Sequence, residues 1–342
     1  MPLRAALVGC GAMSSAWLEA AAKVPGLEIV GLADVDPRRA SERAAQFSLQ
    51  DAIIAPDVHG LLAETRPDLL FDVVVPAARH EVVSAGLNAG CHVLSEKPMA
   101  ESLEDARDLV RGAKAACRVH AVVQNRRYLE GVRRISRALR SGTIGDVTSA
   151  HADFFLAPHF GGFREEMDHV LLLDMAIHGF DALRCMTGLN GANVYAREWN
   201  PPHSWYRRGS SATAIFALEN GAPFVYRGSW CAAGLGTSWE CDWRFVGTKG
   251  ALTWDGAQAI RIEVVAPEKR QGLFDPLETR DPPPLSPDDR VGGHLGVLQD
   301  FVSAVRSGGE PETAGRDNIR SLAMVLAAIR SAETGERVDV VI

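Results

Sequence analysis

LVGCGAMSS, residues 7–15, decides the fold of this chain of 342 residues. The apolar run RAALVG ends in Gly9-Cys10-Gly11-Ala12-Met13-Ser14, a G-x-G-x-x-G turn in which Ser14 replaces the last glycine. Such a turn lets backbone amides and a helix N-terminus hold a pyrophosphate. The turn alone is weak, but its setting strengthens it. It follows a strand pattern and opens the helical pattern AWLEAAAKV, and Asp34 ends the next strand, LEIVGLAD, 23 residues after Gly11. A carboxylate there accepts hydrogen bonds from the adenosine ribose. Gly9, Gly11, Ala12, Met13 and Asp34 are therefore expected to hold a dinucleotide; the alternative is a tight turn beside an exposed aspartate. Asp34 would repel a 2′-phosphate, so NAD is expected ahead of NADP, with Arg38 and Arg39 keeping NADP open.

Outward from this turn, strand and helix patterns alternate to about residue 124: PRRASERAAQF, DLLFDVVVPA, HEVVSAGLNAG, CHVLSEK, SLEDARDLVRGAKAA and RVHAVVQ. Alternation of this kind gives a doubly wound parallel sheet. Beyond it come a helix, YLEGVRRISRALRSG, a strand, DVTSAHADFFL, a further helix, and then the long β runs ANVYAREW, SATAIFALEN, APFVYRGSW, SWECDWRFVGTKGALTWDG and AIRIEVVA. Asn220-Gly221 and Lys249-Gly250 mark turns between antiparallel strands. The fold class expected is α/β plus α+β: a Rossmann domain over 1–124, and over 125–342 a second domain on a large, mostly antiparallel sheet. PEKRQGLFDPLETRDPPPLSPDDR reads as a surface loop, and two helical patterns close the chain.

Composition excludes several classes. The net charge of −7 is spread along the chain, which argues against a nucleic-acid partner. No apolar run approaches a membrane span of roughly 18 residues, and the N-terminal run reads as a strand, not a signal peptide. Cys10, Cys91, Cys117, Cys185, Cys231 and Cys241 form no CxxC pair, which suits reduced thiols in a cytoplasm.

Chemistry-bearing residues gather at strand ends and in one helix. Pro76-Ala77-Ala78-Arg79-His80 and Ser95-Glu96-Lys97-Pro98 follow strands whose carboxyl ends line the ligand crevice of such a sheet, so Pro76, His80, Glu96 and Lys97 are expected near the nicotinamide half of the cofactor. In LLLDMAIHGFD, residues 171–181, an apolar helix carries three ionisable groups. At about 100° per residue, His178 lies roughly 40° from Asp174 and Asp181 roughly 20° the other way, so they share a face. Asp181 reads as a structural partner of Arg184 or of a helix end. His169, and Arg126 or Tyr128 in the run Arg126-Arg127-Tyr128, are candidate substrate contacts; for that run an interdomain salt bridge is the alternative. Trp199, Trp205, Trp230, Trp239, Trp243 and Trp254 are expected to pack the sheet or a subunit interface, with one or two free to stack on a sugar.

Taken together, the GxGxxS turn, PAARH, HVLSEKP, DMAIHGFD and NRRYLEGVRRISRALRSGTIGDV resemble the glucose–fructose oxidoreductase/inositol dehydrogenase/rhizopine-catabolism (Gfo/Idh/MocA) family over almost the whole chain. The resemblance implies an NAD(P)-dependent oxidoreductase of a sugar, cyclitol or related polyol, with substrate between the domains. It also implies a homo-oligomer, dimer or tetramer, through the open face of the second sheet. In the family pattern the Lys of E-K-P and the Asp and His of D-x-x-x-H are catalytic, matched here by Lys97, Asp174 and His178. The chemistry suits them: His178 can take the hydroxyl proton, Lys97 can stabilise developing alkoxide charge, and Asp174 can orient substrate or imidazole. Three rivals stand beside this reading. A redox-neutral sugar-modifying enzyme with tightly bound NAD, such as an epimerase, glycosidase or lyase, would use the same residues. A non-enzymatic NAD(P)-binding regulator would leave the catalytic set without a purpose. A metal hydrolase built on Asp174, His178 and one of His159, His169 or His203 would leave the glycine turn unused and lacks HExxH, so no metal is expected.

Overall fold

The computed structural model describes residues 2–267 and 272–342. Six strands, β1 (Leu3–Val8), β2 (Leu27–Ala33), β3 (Ile53–Ala55), β4 (Leu69–Asp72), β5 (His92–Ser95) and β6 (His120–Val122), form one sheet in the order β3-β2-β1-β4-β5-β6. All pairs are parallel, and the order reverses between β1 and β4, the switch point at which such sheets bind ligands. The helices are α1 (Ser14–Ala21), α2 (Pro37–Gln46), α3 (Val58–Thr65), α4 (Pro76–Asn88) and α5 (Leu103–Ala116). Local chemistry sets their starts: Asp36 caps α2 by accepting the Arg38 amide ahead of Pro37, and Ser102 caps α5 by accepting the Asp105 amide. Ala5, Leu7, Leu69, Phe71 and Leu94 are fully buried, as strands covered on both faces require.

The second sheet has nine strands. In chain order they are β7 (Val147–Phe155), β8 (Gly191–Trp199), β9 (Ser211–Leu218), β10 (Pro223–Ser229), β11 (Asp242–Gly247), β12 (Gly250–Trp254), β13 (Ile260–Val265), β14 (Leu277–Arg280) and β15 (Val338–Asp339). Their spatial order is β14-β13-β12-β11-β7-β10-β9-β8-β15; among the described residues only β7 and β10 of this sheet pair in parallel. Around the sheet are α6 (Glu130–Arg140), α7 (Phe163–Glu166), a π-helical turn (Leu171–Ala176) and α8 (Ile177–Thr187); later in the chain come α9 (His294–Ser307) and α10 (Gly315–Thr334). The π turn and α8 belong to the sheet's core: Phe180 meets Phe216, Phe224 and Tyr226 edge-on with ring centroids 4.9–6.0 Å apart. Truncating so buried a ring costs about 3–5 kcal/mol.

Two compact units result, Met1–Tyr128 with Arg290–Leu322, and Leu129–Asp289 with Ala323–Ile342. This differs from a single break after residue 124. Residues 290–322 group with the first unit because α9 lays Val297, Leu298, Phe301 and Val302 into the core that holds Trp17 and Tyr128. The stretch read as a surface loop also differs, because β14 within it extends the sheet by pairing with β13. Arg134 then fixes the Pro282 and Pro283 carbonyls, and Arg137 holds Asp289 at 2.6 Å. Residues 268–271 of that stretch lie outside the described residues.

Candidate functional site

At the switch point Gly9 adopts φ +96°, and a Cβ on it would lie 2.6 Å from the Val73 carbonyl carbon and oxygen. No side chain fits there. Gly11 faces open space, and among the described residues the Gly11, Ala12 and Met13 amides donate to no backbone or side-chain acceptor. Ser14 fits the third glycine position by turning its hydroxyl back onto the Gly11 carbonyl at 2.6 Å. Asp34 is held from two sides, accepting the Cys10 amide at 2.8 Å and the Asp36 amide at 2.9 Å, with lone pairs to spare for a ribose. A cavity of about 300 Å³ opens beside the turn, lined by Gly11, Ala12, Arg39 and Arg43 among others. Unspent amides, a fixed carboxylate and room above Gly11 together fit a dinucleotide. Arg38 is engaged by Asp36 through two nitrogens. Gly9→Ala should cost several kcal/mol, through the clash and the positive φ; a chemical-denaturation curve indistinguishable from wild type would contradict this.

The ends of β4 and β5 form a second cluster in the same unit. Arg79, buried in α4, donates to Asp72 at 2.9 Å and to the carbonyls of Val74 and Pro98, tying the loops after β4 and β5 together. Burial pushes the Asp72 carboxyl up to about 6, with Arg79 opposing. Glu96 accepts the Trp17 indole N–H at 2.8 Å and the Lys97 amide at 3.1 Å. Between Val93 and Ala100, Lys97 alone retains exposure. Pro76 opens α4. His80 points along that helix to Asp108 of α5, 3.0 Å away, and would have to leave this partner to reach a cofactor.

A short 3-10 helix, Asn125–Tyr128, follows β6. Tyr128 is fully buried with its hydroxyl on Asp300 at 2.7 Å, and Arg127 pairs with Asp317 at 2.7 Å within the same unit. Arg126 is the member of the run with the most exposure to offer a ligand.

In the second unit, residues 170–186 are buried except Leu173, Asp174 and His178. Asp174 lies in the π turn and His178 in α8, so a single α-helical wheel does not describe their spacing. π turns recur at functional sites. Asp174 accepts a hydrogen bond from Arg164 Nε at 2.8 Å. The Arg164 guanidinium in turn sits 5.2 Å from the Phe160 ring centroid and 4.9 Å from that of Phe163. Nothing in the sequence pairs Arg164 with Asp174, because the contact depends on the loop between them. Asp181 is buried and pairs with Arg184 at 3.6 Å, the structural role expected of it. Trp230, Trp243 and Trp254 are buried in the core; Trp205 stacks on His159 with centroids 3.6 Å apart, and Trp199 and Trp239 are exposed.

His169 has both ring nitrogens occupied, Nδ1 by Glu198 at 2.6 Å and Nε2 by Glu333 at 3.4 Å, and holds a left-handed φ of +53° just before the π turn. The bond to Glu198 raises its pKa, against the effect of burial. A raised folded-state pKa gives stability that is complete below the unfolded value of about 6.5 and is lost as pH rises through the folded value. Glu198→Gln should therefore lower the melting temperature most at mildly acidic pH, by the equivalent of about 1–2 kcal/mol, and least at alkaline pH. A deficit independent of pH would contradict the clamp.

Among the described residues no group of three or more His, Cys, Asp or Glu side chains could hold a metal ion, and no helix is long and apolar enough to cross a membrane. The strand order and the amide-lined turn define an NAD-binding Rossmann protein. The model of the GFO/IDH/MocA oxidoreductase family, NAD-binding Rossmann fold, matches residues 3–124, and that of the family's C-terminal domain matches residues 132–253; the chain belongs to this family. It is 27% identical over 350 aligned positions to a D-apiose dehydrogenase of Paraburkholderia graminis, covering 98% of this chain and 89% of the relative. It is 25% identical to the 1,5-anhydro-D-fructose reductase of Ensifer adhaerens, covering 98% and 97% of the two chains. Among solved structures, an oxidoreductase from Agrobacterium radiobacter in complex with NAD+, L-tartaric acid and magnesium superposes with a TM-score of 0.87 at 25% identity, over 99% of both chains. The protein is an NAD-dependent oxidoreductase.

Proposed function

We propose that this oxidoreductase oxidises, or in reverse forms, a secondary hydroxyl on a sugar, cyclitol or related polyol. The observation that carries the reading is the exposure pattern of the buried stretch 170–186, which leaves Asp174, braced by Arg164, and His178 accessible. His178 accepts the hydroxyl proton, a role to which an imidazole is suited. Lys97, at the end of β5, hydrogen-bonds the same oxygen and stabilises its developing negative charge. Asp174 orients the substrate hydroxyl or the imidazole. NAD, when bound, supplies the hydride acceptor. Gly9, Gly11, Ala12, Met13, Asp34, Pro76 and Glu96 are assigned to the cofactor, and Arg126 to substrate.

The names of the relatives, a D-apiose dehydrogenase and a 1,5-anhydro-D-fructose reductase, support a carbohydrate substrate. Six cysteines, five of them buried, support a reducing, cytoplasmic setting. Exposed Tyr195 and Ile215 on adjacent strands β8 and β9 support assembly into a homo-oligomer through that sheet. The test is a panel of sugars, cyclitols and sugar acids offered with NAD and with NADP, followed at the reduced-nicotinamide absorbance band. A signal with a polyhydroxylated compound, stronger with NAD than NADP, is expected. Conversion of a compound without that signal would overturn net oxidation in favour of redox-neutral turnover.

A further inference from the structure

Trp17 is fully buried on α1, yet its indole N–H is directed at a side chain 79 residues away, Glu96 Oε1, at 2.8 Å. The other oxygen of Glu96 accepts the Lys97 backbone amide at 3.1 Å. One carboxylate thus links the helix that follows the glycine turn to the peptide that bears the Lys97 amine. The ring packs against Phe71 at 5.4 Å between centroids, a contact that does not itself direct the indole N–H. Glu96 is buried near a like charge, Asp72 at the end of β4, whose pKa it helps to raise. Two neighbouring carboxylates stay ionised only where donors reach each of them. Arg79 of α4 serves Asp72, whereas Glu96 depends on Trp17 and the Lys97 amide. From α9, His294 Nε2 approaches Glu96 Oε1 at 4.0 Å, while its Nδ1 lies 3.5 Å from Asn125 Nδ2. Burial lowers the His294 pKa, with Glu96 opposing.

We infer that Trp17 is a positioning residue for the reaction, fixing Glu96 and through it the Lys97 peptide against the helix that opens at the dinucleotide turn. This rests on the assignment of Lys97 to the reacting oxygen. A small displacement of a positioned group is costly in rate, and Trp17→Phe, which removes the N–H and keeps a smaller aromatic ring, should lower kcat about tenfold. NAD affinity should change less than kcat, because the amides of the turn are untouched. In single turnover with enzyme in excess, the same substitution made in a Lys97→Ala background should cost nothing further, the mark of residues that act as a unit. Glu96→Gln, which puts an NH2 donor in place of one of the two accepting oxygens and so breaks the link between the indole and the Lys97 amide, provides a second variant with the same expected loss and the same non-additivity. Equal fold losses in both Lys97 backgrounds, or an unchanged kcat in Trp17→Phe, would overturn the inference while leaving Lys97 in its role. If Lys97→Ala alone retained wild-type kcat, the assignment of Lys97 would fall, and the role of Trp17 with it.

Discussion

Lys97→Ala lowers kcat by about 10³-fold, the range expected when a group that stabilises charge at the reacting oxygen is removed, and leaves the melting temperature nearly unchanged. The two halves of this expectation have separate grounds. The rate loss follows from the position of Lys97 at the carboxyl end of β5, where an open parallel sheet presents ligand-facing groups. The unchanged stability follows from burial: Val93, Leu94, Ser95, Glu96, Pro98, Met99 and Ala100 are buried around Lys97, which is partly exposed, so losing its side chain opens no cavity. Steady-state kinetics and thermal melts on the same preparation separate a catalytic role from a folding defect. A large drop in melting temperature would assign Lys97 to the structure.

Arg79→Met has the opposite profile. Arg79 and Asp72 form an ion pair in which both side chains are almost completely buried, and removing one partner strands the other; losses of about 3–5 kcal/mol are expected. The same guanidinium holds the Val74 and Pro98 carbonyls, so the loops flanking Lys97 loosen and activity falls with stability. Asp72 adds a pH signature. In wild type its folded pKa, about 6, already exceeds the ordinary aspartate value of 3.8, so the folded state binds its proton more readily and Asp72 alone lowers stability as pH rises through that window. Without Arg79 the folded value rises further. The deficit of Arg79→Met should therefore be smallest at acidic pH, where Asp72 is protonated, and grow towards alkaline pH. Urea unfolding at several pH values reads this directly; a deficit that shrank as pH rose would contradict it.

The parts of the molecule legible in sequence were those with local causes. The glycine turn, the spacing to Asp34 and the strand–helix alternation sufficed for the parallel sheet, because each depends on neighbours in the chain. The antiparallel character of the second sheet was legible from Asn220-Gly221 and Lys249-Gly250, both of which fall at hairpin turns. Asp174 and His178 stood out because ionisable groups in an apolar run need a reason. What stayed hidden depends on distant partners. The return of α9 to the first core involves contacts that periodicity cannot assign to either unit, and β14 is a polar edge strand whose only signal is its neighbour. Arg79 read as one member of a strand-end motif, although its partners lie in three separate loops and strands. Trp17 read as a core residue of α1, which it is, but its hydrogen bond to Glu96 is visible only once β1, β4 and β5 are side by side. The π turn was likewise beyond reach, since a wheel drawn at about 100° per residue presumes the α-helix it is used to find.

The central claim, net oxidation or reduction of a polyhydroxylated substrate, is tested most directly by stoichiometry: reduced nicotinamide formed against substrate consumed, in one sealed reaction with the best compound from the panel. The account predicts one reduced nicotinamide for each substrate molecule oxidised, in wild type and in the slow residual turnover of Lys97→Ala alike. Substrate consumed with no accumulation of reduced cofactor would contradict it, because the hydride would then have been returned to the product.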